Sequence, residues 1–214
     1  MYKAVVFDYD FTLGDSSYGI VICCNYALGK LGFTEKTGEE IRQTIGLPLK
    51  EVFRALTGSD DGDAAEHFDA LFREQADKVI TDSAVMYEDA LPTLSELQRR
   101  GFKTAIVTTK FHYRIDEILR KFNAESLIGV VVGGDDVICE KPDPEGLIKA
   151  LGLLGTSSGE TLYVGDSYVD ALAAQSAGID FAAVLTGTTT DFSGYKSVLV
   201  ADNLRGIFDF VTKQ

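Results

Sequence analysis

Ala4-Val5-Val6-Phe7-Asp8-Tyr9-Asp10-Phe11-Thr12-Leu13 carries a short apolar run into two carboxylates set two residues apart. The run lacks the polar alternation of a half-wet strand, so it reads as a strand buried on both faces, the pattern of a parallel sheet. In open α/β sheets the carboxyl ends of strands border the crevice where ligands bind, and Asp8 and Asp10 fall at such an end. Taken alone, Asp-x-Asp after a strand is better read as a turn, because an Asp side chain readily bonds nearby backbone.

Further Val- and Ile-rich runs occur at 103–107, 129–132, 161–164 and 180–185, and amphipathic stretches at 89–100, 113–121, 144–151 and 168–177 show apolar residues near helical spacing. Strands alternating with helices predict an α/β fold, a doubly wound, mostly parallel, Rossmann-like sheet. Segment 16–84 breaks the rhythm. Helices are expected there at 18–31, 37–45, 48–56 and 63–79, separated by Gly32, Gly46-Leu47-Pro48 and Gly58-Ser59-Asp60-Asp61-Gly62. The predicted organisation is a core of 1–15 and 83–214 interrupted by an all-helical cap of 16–82. The insert leaves the first strand beside Asp8 and Asp10, which suits a lid.

The 214 residues suit one large domain or one domain with an insertion, and 25% charged with 45% hydrophobic residues is an ordinary globular balance. Twenty basic residues against 33 acidic ones give a formal charge of −13, which disfavours nucleic acid and anionic membranes as partners. Asp8 interrupts the first apolar run, so it does not read as a signal peptide, and no stretch approaches the ~18 apolar residues of a membrane span. Cys23, Cys24 and Cys139 lack metal-ligand spacing and read as reduced, buried, inert thiols in a soluble cytoplasmic protein.

Three more strand ends bear reactive side chains: Thr108-Thr109-Lys110, Cys139-Glu140-Lys141-Pro142-Asp143-Pro144 after a loop, and Gly165-Asp166-Ser167 with Asp170 a helical turn on. Asp8 and Asp166, with a backbone carbonyl, offer the hard oxygen ligands that Mg²⁺ prefers. Lys141 supplies a fixed positive charge and Thr108 a hydroxyl donor for phosphoryl oxygens, although Thr109 serves equally on chemistry alone. Asp10 is placed to move a proton, and a carboxylate can itself attack phosphorus. The set fits phosphoryl transfer.

Asp8-Tyr9-Asp10-Phe11-Thr12-Leu13, Thr108, Lys141-Pro142-Asp143-Pro144 and Gly165-Asp166-Ser167-Tyr168-Val169-Asp170 resemble the four ordered motifs of the haloacid dehalogenase-like hydrolase superfamily. The helical insert is similar to the cap of its phosphoglycolate phosphatase-like branch. The resemblance implies that Asp8 is the nucleophile and Asp10 the general acid and base. It makes Thr108 and Lys141 phosphate binders, and assigns Mg²⁺ to Asp8, the Asp10 carbonyl and Asp166. Asp170 becomes a metal-site residue, as a ligand or just behind the ligands, with a first-turn helix acid favoured by the macrodipole as its plainer alternative. The acid at position 10 favours phosphate chemistry over dehalogenation, and Phe11 stands where the family usually has Gly.

The expected activity is hydrolysis of a small phosphorylated metabolite by a Mg²⁺-dependent phosphatase, monomeric or homodimeric. A β-phosphoglucomutase-like mutase asks for a second phosphate site in the cap, which Asp60, Asp61 and Asp63 argue against. Pyrophosphate also fits as substrate, and a purely binding module is disfavoured because no catalytic acid is missing. Lys110 reads as a solvated loop charge, with a place near the phosphate as its alternative, and His67 and His112 as surface or packing residues without partners. Arg42, Lys50, Tyr18 and Gly46-Leu47-Pro48-Leu49 are weaker candidates for contact with a leaving group.

Overall fold

Residues 1–213 are described by a computed structural model. The chain divides into two compact units, Met1–Gly14 joined with the chain from Met86 onward, and Asp15–Val85.

The first unit is built on a six-stranded parallel sheet in the order β5-β4-β1-β6-β7-β8. Its strands are β1 (Ala4–Phe7), β4 (Lys103–Val107), β5 (Val130–Val132), β6 (Thr161–Gly165), β7 (Asp180–Val184) and β8 (Leu199–Ala201). Two short strands, β2 (Gly14–Asp15) and β3 (Val85–Met86), pair separately. Val5, Val6 and Phe7 are all fully buried, as a central parallel strand requires. Alternate residues serve opposite faces: Ala4, Val6, Ala105 and Val107 pack in one cluster with Leu147, Ala150, Ala171 and Ala174 from the covering helices.

Those helices are α5 (Ala90–Arg99), α6 (His112–Lys121), α7 (Glu145–Leu154), α8 (Tyr168–Ala177) and α9 (Leu204–Val211). The last strand and last helix have no counterpart in the sequence reading. Leu199–Ala201 is too short to show a period, and α9 follows it after two residues.

Register sets the chemistry. Phe7 lies opposite Ile106 on one side and Val164 on the other, so Asp8, Thr108 and Asp166 emerge at the carboxyl ends of three neighbouring strands. The strands leading from β1 run out in both directions across the sheet, which makes this the topological switch point.

The second unit holds α1 (Ser17–Lys30), α2 (Gly38–Arg42), α3 (Leu49–Thr57) and α4 (Gly62–Ser83). Its core is Cys23, Cys24, Leu28, Ile41, Phe53, Phe68 and Phe72, with Phe53 5.3 Å from Phe33 and 5.5 Å from Phe68 between ring centroids. Helix α2 is shorter than its pattern suggests. Thr37 and Glu40 cap its start reciprocally, but after Arg42 the bonding tightens to Thr44 N–H on Ile41 O and Leu47 N–H on Thr44 O, a 3₁₀-like exit. Helix α4 is longer than expected because Asp61 accepts the N–H groups of Asp63 and Ala64, and Ser83 bonds back to Val79 O. No helix among the described residues is long and apolar enough to cross a membrane.

Candidate active site

Asp8 is 3% exposed, and its N–H donates to Val164 O at 2.9 Å, which welds the end of β1 to β6. The chain then turns sharply: Tyr9 O accepts the N–H groups of Thr12, Leu13 and Gly14 at 3.2, 2.9 and 3.0 Å. Phe11 sits in that turn with φ 56°, in the left-handed region, and its ring is buried. This accounts for the glycine expected there from the family resemblance. Left-handed backbone costs an ordinary side chain ~1–2 kcal/mol, whereas burying a phenylalanine ring is worth more, since Phe-to-Ala losses run ~3–5 kcal/mol. Phe11→Gly is therefore expected to destabilise the protein by about 2 kcal/mol, read from a denaturant midpoint; an unchanged or raised midpoint would show that the strain outweighs the packing.

Lys141 is the hub of the buried charges. Its Nζ donates to Asp170 Oδ1 at 2.6 Å and to Tyr163 OH at 3.1 Å, and lies 3.1 Å from Asp8 Oδ1. That last approach gives charge attraction without hydrogen-bond alignment, so Asp8 Oδ1 is fully buried with no donor. Asp170 is the opposite case. Its Oδ1 accepts from Lys141 and from Tyr163 OH at 2.7 Å, and its Oδ2 from Ser167 Oγ at 2.6 Å and Ser167 N at 3.2 Å. Asp170 thus closes a capping box with Ser167 at the start of α8 while its other oxygen holds Lys141. Asp166 Oδ1 accepts from Thr12 Oγ1 at 3.2 Å. The backbone of Gly187 passes so near Asp166 that a Cβ at this position would collide with Oδ2, and Thr186 Oγ1 donates to Phe11 O.

One oxygen from each of Asp8, Asp166 and Asp170 lies within 4.8 Å of the others. Burial pushes Asp8 up to about 6, reinforced by Asp170 and Asp10 and opposed by Lys141. Burial likewise pushes Asp166 well above the carboxylate range, with Asp170 and Asp8 adding to it. Asp170 is held below that range despite its burial, by Lys141 and by the hydroxyls of Ser167 and Tyr163. Burial and the neighbouring carboxylates push the Tyr163 hydroxyl up, so it stays a neutral donor.

Three buried acids face one lysine, and one acid oxygen has no donor. A divalent cation satisfies both conditions with hard oxygen ligands. Asp8 and Asp166 have lone pairs to give, whereas those of Asp170 are taken up by protein donors.

Asp10 stands outside this cluster. Its Oδ2 lies 2.6 Å from Lys110 Nζ, and each side chain is 9% exposed. Lys110 is therefore not the solvated loop charge its position suggests. Thr108 is buried, its N–H donates to Val132 O at 3.1 Å, and its Oγ1 accepts from Lys110 N at 3.3 Å.

Two other expectations are corrected. His112 is partnered, with Nδ1 2.6 Å from Asp136 Oδ2, because the loop after β5 folds back onto the start of α6. Cys139 is exposed, since it lies in that same surface loop, while Cys23 and Cys24 are buried in the helical unit. In that unit Arg42 is tied to Ser17 and Asp15, Lys50 to Glu66 at 3.0 Å, and Tyr18 is exposed. Tyr163, Thr12 and Ser167 had no role assigned from the sequence, and Lys110 only an alternative place near the phosphate. Only Ser167 left a legible signal, as the Ser-x-x-Asp form of a capping box.

The family described as haloacid dehalogenase-like hydrolase matches residues 5–184. Pyrophosphatase PpaX of Bacillus pumilus is 36% identical over 182 residues, covering 85% of this chain and 82% of that protein. Phosphoglycolate phosphatase 1 of Pseudomonas aeruginosa is 33% identical over 216 residues, covering 96% of this chain and 78% of that protein. A crystal structure of a haloacid dehalogenase-like hydrolase from Bacteroides fragilis superposes with a TM-score of 0.94 at 38% identity, covering 97% of this chain and 100% of that one.

Proposed function

The chain belongs to the haloacid dehalogenase-like hydrolase family, and on that premise we propose that it is a Mg²⁺-dependent phosphatase of small phosphorylated metabolites. The observation that carries the reading is Asp8 Oδ1, a buried carboxylate oxygen with no hydrogen-bond donor, set among three acids and a lysine at a strand end.

Asp8 and Asp166 would hold Mg²⁺ through carboxylate oxygens, with the Asp10 main-chain carbonyl as a third protein ligand. Bound there, the ion offsets the repulsion between Asp8 and a phosphate dianion. Asp170 acts from behind by fixing Lys141. Lys141 and Thr108 receive the oxygens of the transferred group. Asp8 attacks phosphorus to form an aspartyl-phosphate, while Asp10 protonates the departing oxygen and then takes a proton from the water that hydrolyses the intermediate. The helical unit Asp15–Val85 is read as the cap. The two named relatives act on a phosphoanhydride and on a phosphate monoester, so both classes enter the substrate range. The thiols, free in all three cysteines, suit a cytoplasmic enzyme.

The test is a phosphate-release screen over small phosphate esters and pyrophosphate, with Mg²⁺ and with chelator. Release that requires Mg²⁺ is expected from at least one class. No release from any substrate, or release undiminished by chelator, would overturn the proposal. Isomerised sugar phosphate without free phosphate would assign the site to a mutase instead.

A further inference from the structure

Lys110 is a largely enclosed cation, its side chain 9% exposed, to which the mechanism above gives no task. Its ammonium touches Asp10 at 2.6 Å, on the proton-transfer side of the site, whereas Lys141 stands among Asp8, Asp170 and Tyr163.

Lys110 is also held in place. Its N–H donates to Thr108 Oγ1, and its carbonyl accepts from Gly134 N at 2.8 Å. Two residues on, His112 N–H donates to Asp135 Oδ1 at 2.6 Å, and Asp136 Oδ2 takes both His112 Nδ1 and the Gly133 N–H, the latter at 2.9 Å. A Cβ on Gly134 would stand 2.6 Å from Thr109 O, and one on Gly133 would strike His112 N, so only glycines let this strap lie so close. The strap clamps the Thr108–His112 loop from the β5 side. A surface lysine sweeps a wide volume, but this one presents its charge at one point.

A general acid works within about 2.6–3.2 Å of the oxygen it protonates. If Asp10 serves the departing oxygen, the atoms attached to that oxygen come within ion-pair reach of Lys110. A neutral leaving group offers Lys110 no second anion. A carboxylate or phosphoryl group one or two atoms away does. Resting on the function proposed above, we propose that Lys110 determines specificity by favouring leaving groups that carry their own negative charge close to the scissile oxygen.

The test compares kcat/KM for phosphoglycolate with that for its carboxamide, which has the same skeleton without the charge, and measures pyrophosphate as the phosphoryl counterpart. Wild-type enzyme is expected to prefer the acid by roughly 10- to 100-fold, the range of a charge-assisted contact. Lys110→Met should bring that ratio close to one and lower pyrophosphate hydrolysis, while Lys110→Arg keeps most of the preference. The relative wild-type rates on phosphoglycolate and pyrophosphate show which anion fits. Equal wild-type activity on acid and amide would overturn the proposal even if Lys110→Met does not fold. So would an equal fall on all substrates in that variant, which would assign Lys110 to Asp10 alone. Failure of the wild type to release phosphate from anything would overturn the phosphatase reading instead, a separate outcome.

Discussion

Asp8→Asn is expected to reduce phosphate release by roughly 10⁴-fold or more, since the amide can neither ionise nor attack phosphorus. The same change should leave the metal-free protein folded and, above pH 7, at least as stable as wild type. The opposing effects have one cause. Asp8 is a buried carboxylate pushed up to about 6, so its charged form is disfavoured in the folded state. A rise of about two units corresponds to about 3 kcal/mol between protonation states, which a neutral amide does not incur. Lys141 keeps Asp170 and Tyr163 as partners when Asp8 is neutralised. Activity within tenfold of wild type would remove Asp8 from the nucleophile's role. A large fall in melting temperature at pH 8 would show that the attraction between Asp8 and Lys141 exceeds the cost of burial.

The second large effect concerns pH and Mg²⁺ together. A group whose folded pKa is raised contributes stability below its unfolded value, and that contribution is lost as pH rises through the folded value. For Asp8 the window runs from about pH 4 to just above 6, and Asp166 shifts in the same direction. Asp170, held low, acts oppositely: its contribution is present above the unfolded carboxylate value and fades only in stronger acid. The metal-free protein is therefore expected to lose stability from this cluster as pH rises from about 4 to just above 6, the range set by Asp8. Mg²⁺ should restore it where the ligands are ionised, by about 2.7 kcal/mol at a concentration one hundred times Kd. The rise in melting temperature on adding Mg²⁺ should thus be larger at pH 8 than at pH 5, and should shrink in Asp166→Asn. An equal rise at both pH values, or one that survives in Asp166→Asn, would place the ion elsewhere.

What the sequence made legible follows from the range of the interactions involved. Strands β1, β4 and β6 were readable because central parallel strands are continuous apolar runs, and Asp8, Thr108 and Asp166 because each directly follows such a run. Helix α2 was overextended, since the 3₁₀ exit after Arg42 depends on Thr44 bonding back to Ile41, a choice that apolar spacing does not encode. Lys110 was misjudged for a tertiary reason. Its side chain is enclosed where the loops after β1 and β4 meet, against Asp10, and nothing within either stretch marks that lysine for enclosure. The same holds for Tyr163, whose hydroxyl finds Lys141 and Asp170 across the sheet end. His112 is tied by residues 23 and 24 positions away. Phe11 stood out as a departure from its family's glycine, but only its φ of 56° explains why glycine is usual there.

Phe11 also acts in a state that no folded structure displays. A glycine at position 11 would relax the native turn, yet it would widen the ensemble of shapes open to the chain whenever the turn comes apart. A side chain with a Cβ narrows that ensemble, an effect worth ~0.4–1 kcal/mol where Gly is exchanged for Ala. When the loop between Asp8 and Gly14 opens locally, it therefore has fewer competing shapes to visit before it closes again. The two carboxylates at positions 8 and 10 are kept in register partly by a scarcity of alternatives, to which the strained residue between them and the returning strand contributes.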